Sequence, residues 1–318
     1  MPLIPNSNNT DSNNRPKAPD KPEVQFRKSV PIYTFADLIL SDKTLDELKT
    51  VVSAQNNWKK VFVDWGLGSV MKERKNLFVN LYGESGTGKS MSAHAIADAL
   101  GKKLICVNYA DIESKYVGET SKNLSKLFSD PANKDEIIFF DEADALLSKR
   151  VTDMSSATDV SVNQTRSVLL TLLNSYEGMV IFATNFISNY DSAFMRRIHY
   201  HIRFELPNAE LREKLWQHYI PSQMPVNVDI HKLAEEHGGL SGSDISTAVM
   251  KAALNAAKNN VDVVSESDFK LAIESIAASK KANTGSAKAV ITKSEIVDEK
   301  DVPLSIREKS SKNEEDIK

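Results

Sequence analysis

Apolar positions along the chain follow two rhythms. Between positions 77 and 184 they gather into short apolar runs, Leu77–Tyr82, Leu104–Val107, Ile137–Phe140 and Val180–Ala183. Runs this short and this apolar suit strands buried on both faces, as in a parallel sheet covered by helices. A fifth strand is predicted at Ile202–Glu205. Helical spacing separates the runs, over 89–100 with Gly101 as its stop, over 121–128 and over 162–173. Strands alternating with helices imply a parallel sheet joined by right-handed crossovers. Upstream, Leu38, Leu45, Leu48 and Val51 recur at helical spacing and predict a helix over 36–53.

After Pro207 the strand signals stop and the helical rhythm takes over, predicting helices at 209–219, 228–236, 242–259 and 267–279. Asn208 is placed to cap the first of these. Ser241 is placed to cap the third, with Asp244 three residues on to complete a capping box. The flanks, 1–29 and 281–318, are polar and aperiodic and are expected to be disordered tails. The expected organisation is an α/β domain over 30–207 with a five-stranded parallel sheet, then a small all-α domain over 208–280.

Composition narrows the function classes. The 318 residues carry a formal net charge of −3, which gives no general attraction to nucleic acid or to an anionic membrane. No apolar stretch reaches the ~18–20 residues a membrane span requires. The segment 1–14 lacks the apolar centre of a signal peptide, so the expectation is a soluble, cytoplasmic protein. The one cysteine, Cys106, lies inside an apolar run and reads as a small buried hydrophobe. It excludes a disulfide framework within the chain and fits a reducing compartment.

The chemistry concentrates at strand ends. Gly83-Glu84-Ser85-Gly86-Thr87-Gly88-Lys89-Ser90 matches G-x-x-x-x-G-K-[ST], follows an apolar strand and opens a helix. Glycines let successive backbone N–H groups turn toward phosphate oxygens, and the helix N-terminus adds partial positive charge there. Lys89 is placed to reach the β- and γ-phosphates and Ser90 to bind Mg²⁺. With Met91 next on the helix, this segment is the expected nucleotide cradle. About fifty residues on, Ile137–Phe140 ends in Asp141-Glu142, a Walker B pattern. There Asp141 would hold the metal and Glu142 would polarise the attacking water. Asn185 ends the next apolar strand. It stands either at the γ-phosphate and the attacking water or as a residue that merely turns the chain. Asp191 can cap a short helix that carries Arg196 and Arg197 to its end, either as a solvated basic terminus or as arginine fingers.

These four elements, in this order and spacing, resemble the AAA family of ATPases, in its protein-remodelling branch, over roughly residues 33–278. Phe140 to Arg150 looks like the family's extended Walker B. Ser114 to Glu119 stands where the family carries its first pore loop, and Leu240 to Asp244 resembles the start of the lid helix beside the nucleotide. Trp65-Gly66-Leu67-Gly68, the tract Phe194–Leu206 and Leu215-Trp216 resemble compact bacterial members, some of them associated with contractile injection systems. The resemblance implies ATP and Mg²⁺ as cofactors, with Gly242 and Ser243 of the lid at the nucleotide. It implies Asn185 as sensor 1, and Arg196 and Arg197 acting in trans within a homo-hexameric ring. It also implies Lys115, Tyr116 and Val117 gripping a protein substrate in a central pore, although an aromatic at Tyr116 can also simply pack at a strand edge. Two features depart from the pattern. No sensor-2 arginine stands at Ser241–Asp244, and no Asp-Gly-Phe motif follows Tyr176. The first departure agrees with the unfoldase branch and argues against motors on DNA. The absence of His-Glu-x-x-His excludes a zinc protease within this sequence. A second reading stays open, that of a nucleotide-controlled assembly or capping factor that binds a partner complex without threading it.

Overall fold

The computed structural model describes residues 26–71, 76–108, 119–148, 157–185 and 190–285. Its centre is a six-stranded sheet of β1 (Lys28–Ser29), β2 (Leu77–Gly83), β3 (Leu104–Val107), β4 (Ile137–Phe140), β5 (Met179–Thr184) and β6 (Tyr200–Phe204), in the order β1-β3-β4-β5-β2-β6. The five strands β2 to β6 pair in parallel, and the largely apolar runs of β2 to β5 fill the interior of the sheet, while β6, with His201 and Arg203, forms its margin. Helices α1 (Asp42–Asn56), α2 (Lys89–Ala99), α3 (Glu119–Ser129), α4 (Asp144–Leu147), α5 (Ala157–Ser175) and α6 (Ser192–Met195) accompany it.

Alternation along the strands divides the core into two layers. Phe78, Ile105, Ile138, Phe140, Val180 and Phe182 point to one face and pack with Leu124, Leu127 and Leu169 of the helices. Val79, Leu81, Leu104, Phe139 and Ile181 point to the other and meet Ala93 and Ile96 of α2 and Leu48 and Val51 of α1. Phe140 and Phe182 stack at 5.3 Å between neighbouring strands, locking β4 to β5 just below the sheet's C-terminal edge.

A helical lid follows, of α7 (Ala209–Tyr219), α8 (Ile230–Glu236), α9 (Gly242–Lys258) and α10 (Glu266–Gly285). It has its own core, in which Trp216 meets Phe269 edge-on at 5.8 Å. Asn208 caps α7, and Ser241 with Asp244 forms the capping box of α9, as expected from the sequence. Buried Arg212 ties the start of the lid together. Its guanidinium donates to Pro207 O at 2.7 Å and to Ala234 O at 2.9 Å.

Several expectations are corrected. The sheet has six strands, because Lys28–Ser29 adds an antiparallel edge on β3, inside the stretch expected to be a tail. The fifth strand begins two residues earlier than expected and ends at Phe204. The lid is not purely helical, since Val226–Asn227 and Val264–Ser265 form a two-residue parallel pair. The helix expected over 36–53 is broken. Phe35–Asp37 is a 3-10 turn capped by Thr34, and α1 restarts at the Ser41 cap. Cys106 is exposed, because it stands near the sheet edge where only the short β1 covers it. The tail residues 1–25 and 286–318 lie outside the described residues. So do Lys149 and Arg150 of the extended Walker B and the pore-loop residues Lys115, Tyr116 and Val117.

Candidate active site

The glycine-rich loop leaves β2 and turns into α2. Gly83 has φ 144°, and a Cβ there would fall 2.0 Å from the Phe204 carbonyl oxygen, so only glycine fits. Gly86 and Gly88 also take positive φ, at 73° and 101°. The Thr87 hydroxyl donates to Glu84 O at 2.7 Å and pins the loop across its base. Lys89, the first residue of α2, is only 8% exposed. Its ammonium donates to Gly83 O and Glu84 O, both at 2.8 Å, and to Asn185 Oδ1 at 3.0 Å. Burial pulls its pKa below the usual lysine value against the nearby charges of Asp141, Asp144 and Glu84. The bond to Asn185 joins the loop to the end of β5, two strands adjacent in space but about a hundred residues apart in sequence.

Asp141 stands at the end of β4. Its Oδ2 accepts from the Ser90 hydroxyl at 2.9 Å and its Oδ1 accepts from the Glu142 N–H at 3.0 Å. Glu142 sits in the left-handed region at φ 51° with an exposed side chain. A non-glycine residue held there carries strain of about 1–3 kcal/mol, a cost that clusters at functional sites. Asn185 is held from behind, because its N–H donates to the Asp144 carboxylate at 3.2 and 3.3 Å. Below it lies a buried polar chain in which the Tyr190 hydroxyl donates to Thr184 Oγ1, and Thr184 lies 3.4 Å from Asn80 Oδ1.

These groups open into a cavity of about 560 Å³ between the sheet's C-terminal edge and the lid. Asp141, Glu142 and Asn185 line one side, together with the loop from Ser85 to Met91. Leu40, Leu215, His218 and Tyr219 line another, and Gly242 and Ser243 close it from α9. The Ser243 N–H donates to Gly86 O at 3.1 Å, so the lid is seated directly on the loop. The sequence reading placed no role on Asp144 or on the α7 face. Asp144, three residues past Asp141 on the first turn of α4, was legible as a candidate only once β5 was known to lie beside β4.

Arg196 and Arg197 end α6 away from this cavity. Arg197 is committed within the chain, donating to Asn174 Oδ1 at 2.6 Å and to Ala193 O at 2.7 Å. Arg196 is exposed and makes no side-chain hydrogen bond or ion pair among the described residues.

The donor set fits the implied ligands. Serine hydroxyl and aspartate carboxylate are the hard oxygen ligands Mg²⁺ takes, and they stand 2.9 Å apart. The glycine-rich loop lines the cavity from Ser85 to Ser90, at the N-terminus of α2, where backbone N–H groups and the helix dipole suit phosphate oxygens. Fold and site together define a P-loop nucleotidase with a helical lid.

Comparison with known proteins gives the family. Residues 79–206 match the ATPase family associated with various cellular activities (AAA), and residues 227–271 match the AAA+ lid domain. The chain belongs to the AAA family of ATPases. It is 30% identical over 243 residues to the 26S proteasome regulatory subunit 8 homolog of Schizosaccharomyces pombe, covering 74% of this chain and 59% of the relative. It is 33% identical over 206 residues to the proteasome-activating nucleotidase of Methanocella arvoryzae, covering 62% and 49%. It is 31% identical over 251 residues to the ATP-dependent zinc metalloprotease FtsH 2 of Thermoanaerobacter sp., covering 77% and 48%. The chain thus spans about half to three-fifths of the length of these curated relatives. Among the described residues no helix is long and apolar enough to cross a membrane.

Proposed function

We propose that this chain binds and hydrolyses Mg·ATP as a subunit of a cytoplasmic homo-hexameric ring. ATP turnover then remodels, unfolds or disassembles a protein drawn through the central pore. The observation that carries the reading is the division of charges. Lys89, Asp141, Glu142 and Asn185 converge on one cavity, while Arg196 of the same chain is exposed, has no side-chain partner among the described residues and is not part of the cavity's lining. A site for phosphoryl transfer whose described lining holds no arginine is completed by a neighbour's, and such an arginine contributes roughly 10³–10⁵ in rate.

In this reading the loop amides and Lys89 hold the β- and γ-phosphates. Ser90 and Asp141 would hold Mg²⁺, which neutralises developing phosphate charge when bound. Glu142 orients and polarises the attacking water, its carboxylate held at the cavity wall by the strained backbone. Asn185, fixed by Asp144 from behind and bonded to Lys89, reads the γ-phosphate position. Arg196 acts on the neighbour's ATP, whereas Arg197 keeps α6 fastened to the end of α5. The name of one relative, the proteasome-activating nucleotidase, supports a protein as the substrate. Lys115, Tyr116 and Val117 are proposed to grip it.

The test is Glu142→Gln, which keeps the size of the side chain but removes its charge. The variant held in ATP is expected to bind nucleotide with near-normal affinity, lose turnover by at least about a hundredfold, and sediment as a hexamer with trapped protein. A variant that still turns over ATP sinks the assignment of Glu142. A variant that binds ATP but stays monomeric sinks the trans arginine.

A further inference from the structure

The N-terminal end of α9 is the part of the lid that touches the nucleotide cradle. Gly242 and Ser243 line the cavity, and the Ser243 N–H is bonded to Gly86 O. The next residue is a carboxylate. Asp244 completes the capping box, and its side chain is only 14% exposed. Asp244 does not line the cavity itself, but its carboxylate accepts from Ser241 Oγ, which packs against Gly86 of the loop, so its negative charge stands close enough to repel a polyphosphate held there. The fold answers with a cation from a distant stretch of chain. Helix α10 packs along α9 and brings Lys280 back to α9's beginning, where Lys280 Nζ meets Asp244 Oδ2 at 2.5 Å. The same oxygen accepts from Ser241 N at 2.7 Å and Ser241 Oγ at 2.6 Å. Burial pushes the Asp244 pKa up, yet the bonds from Lys280 and Ser241 outweigh it and hold the carboxyl below its usual value. The aspartate is therefore charged at neutral pH.

We propose that Lys280 is a positioning residue for the nucleotide. It neutralises Asp244 and keeps the lid's seating face from repelling the triphosphate. The inference rests on the ATP-binding reading above and adds the lid's electrostatic part in it. The sequence has no sensor-2 arginine at Ser241–Asp244, and the structure shows a cation delivered to that helix end from α10 instead. A pair with its lysine 48% exposed contributes little to stability. Its effect is on which anion the closed lid tolerates.

The experiment measures ATP and ADP affinity by titration calorimetry in Mg²⁺ for the wild type, Lys280→Met, Lys280→Arg and the double variant Asp244→Asn/Lys280→Met. Uncovering one charge beside a polyanion is expected to weaken ATP binding about three- to tenfold and ADP binding less, with the gap narrowing in added salt. Lys280→Arg is expected to behave as wild type. The double variant is expected to recover, because the asparagine amide oxygen still accepts from Ser241 but carries no charge. Unchanged ATP affinity in Lys280→Met overturns the proposal. So does an equal loss for ATP and ADP, or a double variant as weak as the single one, since a merely structural pair predicts these. A wild type that binds neither nucleotide overturns the ATP-binding reading itself and this proposal with it.

Discussion

The seating of the lid on the glycine-rich loop can be measured by adding one methyl group. Gly86 has φ 73°, and a Cβ built on it lies 2.7 Å from Ser241 Oγ and 2.7 Å from Ser243 Cβ. Gly86→Ala therefore carries two costs. The left-handed backbone costs a side-chain-bearing residue about 1–2 kcal/mol. The contacts, several tenths of an ångström too short, force the first turn of α9 outward at an overpacking cost of about 1–3 kcal/mol. Gly239 separates the two. Its φ is 76°, but nothing lies within 4 Å of its Cβ, so Gly239→Ala carries the backbone cost alone. Urea denaturation of both variants, with ADP affinity in parallel, gives the comparison. Gly239→Ala is expected to lose about 1–2 kcal/mol of stability and to keep its affinity for ADP. Gly86→Ala is expected to lose about 1–3 kcal/mol more, with weakened ADP binding because the cavity closes imperfectly. If the two variants match in both readouts, α9 does not sit on the loop as described, and the account of the lid falls.

Two further perturbations test the core and the hinge. Burial pushes the phenols of Tyr176 and Tyr190 up to about 12. The unfolded chain ionises them near pH ~10, so their contribution to stability is intact below that value and is lost as pH rises toward 12. The slope is about 1.4 kcal/mol per pH unit for each tyrosine. Tyr176→Phe and Tyr190→Phe, denatured at pH 9 and pH 11, should each remove its share of that slope, and an unchanged slope in both refutes the burial argument. Arg212→Met strips the donors from Pro207 O and Ala234 O and is expected to cost about 2–4 kcal/mol. Hydrogen exchange should then quicken in α7 and α8 before it quickens in the sheet; uniform quickening would mean that Arg212 is not a local hinge clamp.

Much of this arrangement was legible because each signal was local. The four apolar runs named strands, since a strand buried on both faces needs no alternation to betray it. Asn208, Ser241 with Asp244, and Asp191 named helix starts, because a cap is decided within three residues. The loop from Gly83 to Ser90 carried its own chemistry. What escaped was set by distant partners. Lys28–Ser29 and the pair Val226–Asn227 with Val264–Ser265 are too short to show a pattern, and only their neighbours make them strands. Leu38 to Leu40 kept a helical rhythm in sequence, but the Ser41 cap restarts the helix after them, and all three line the cavity. Arg196 and Arg197 were equivalent on paper. The position of Asn174 at the end of α5 separates them, by engaging one and leaving the other to solvent. Lys280 could not have been linked to Asp244, because 36 residues and a helix turn-around lie between them.

The two-residue strand at the sheet's margin has a consequence for handling the protein. An open strand edge is a template for pairing with another molecule, and β3 is a short apolar strand with such an edge. Lys28 and Ser29 occupy part of it, and Lys28 is anchored by Glu136 and the Ala132 carbonyl. Ser29 also sits over the thiol of Cys106 at 3.7 Å. A chain trimmed to begin at Val30, where composition suggests order starts, would bare that edge and strip the remaining cover from a thiol that is already exposed. Such a truncation invites sticky oligomers and intermolecular disulfides that owe nothing to nucleotide and can be mistaken for ring assembly.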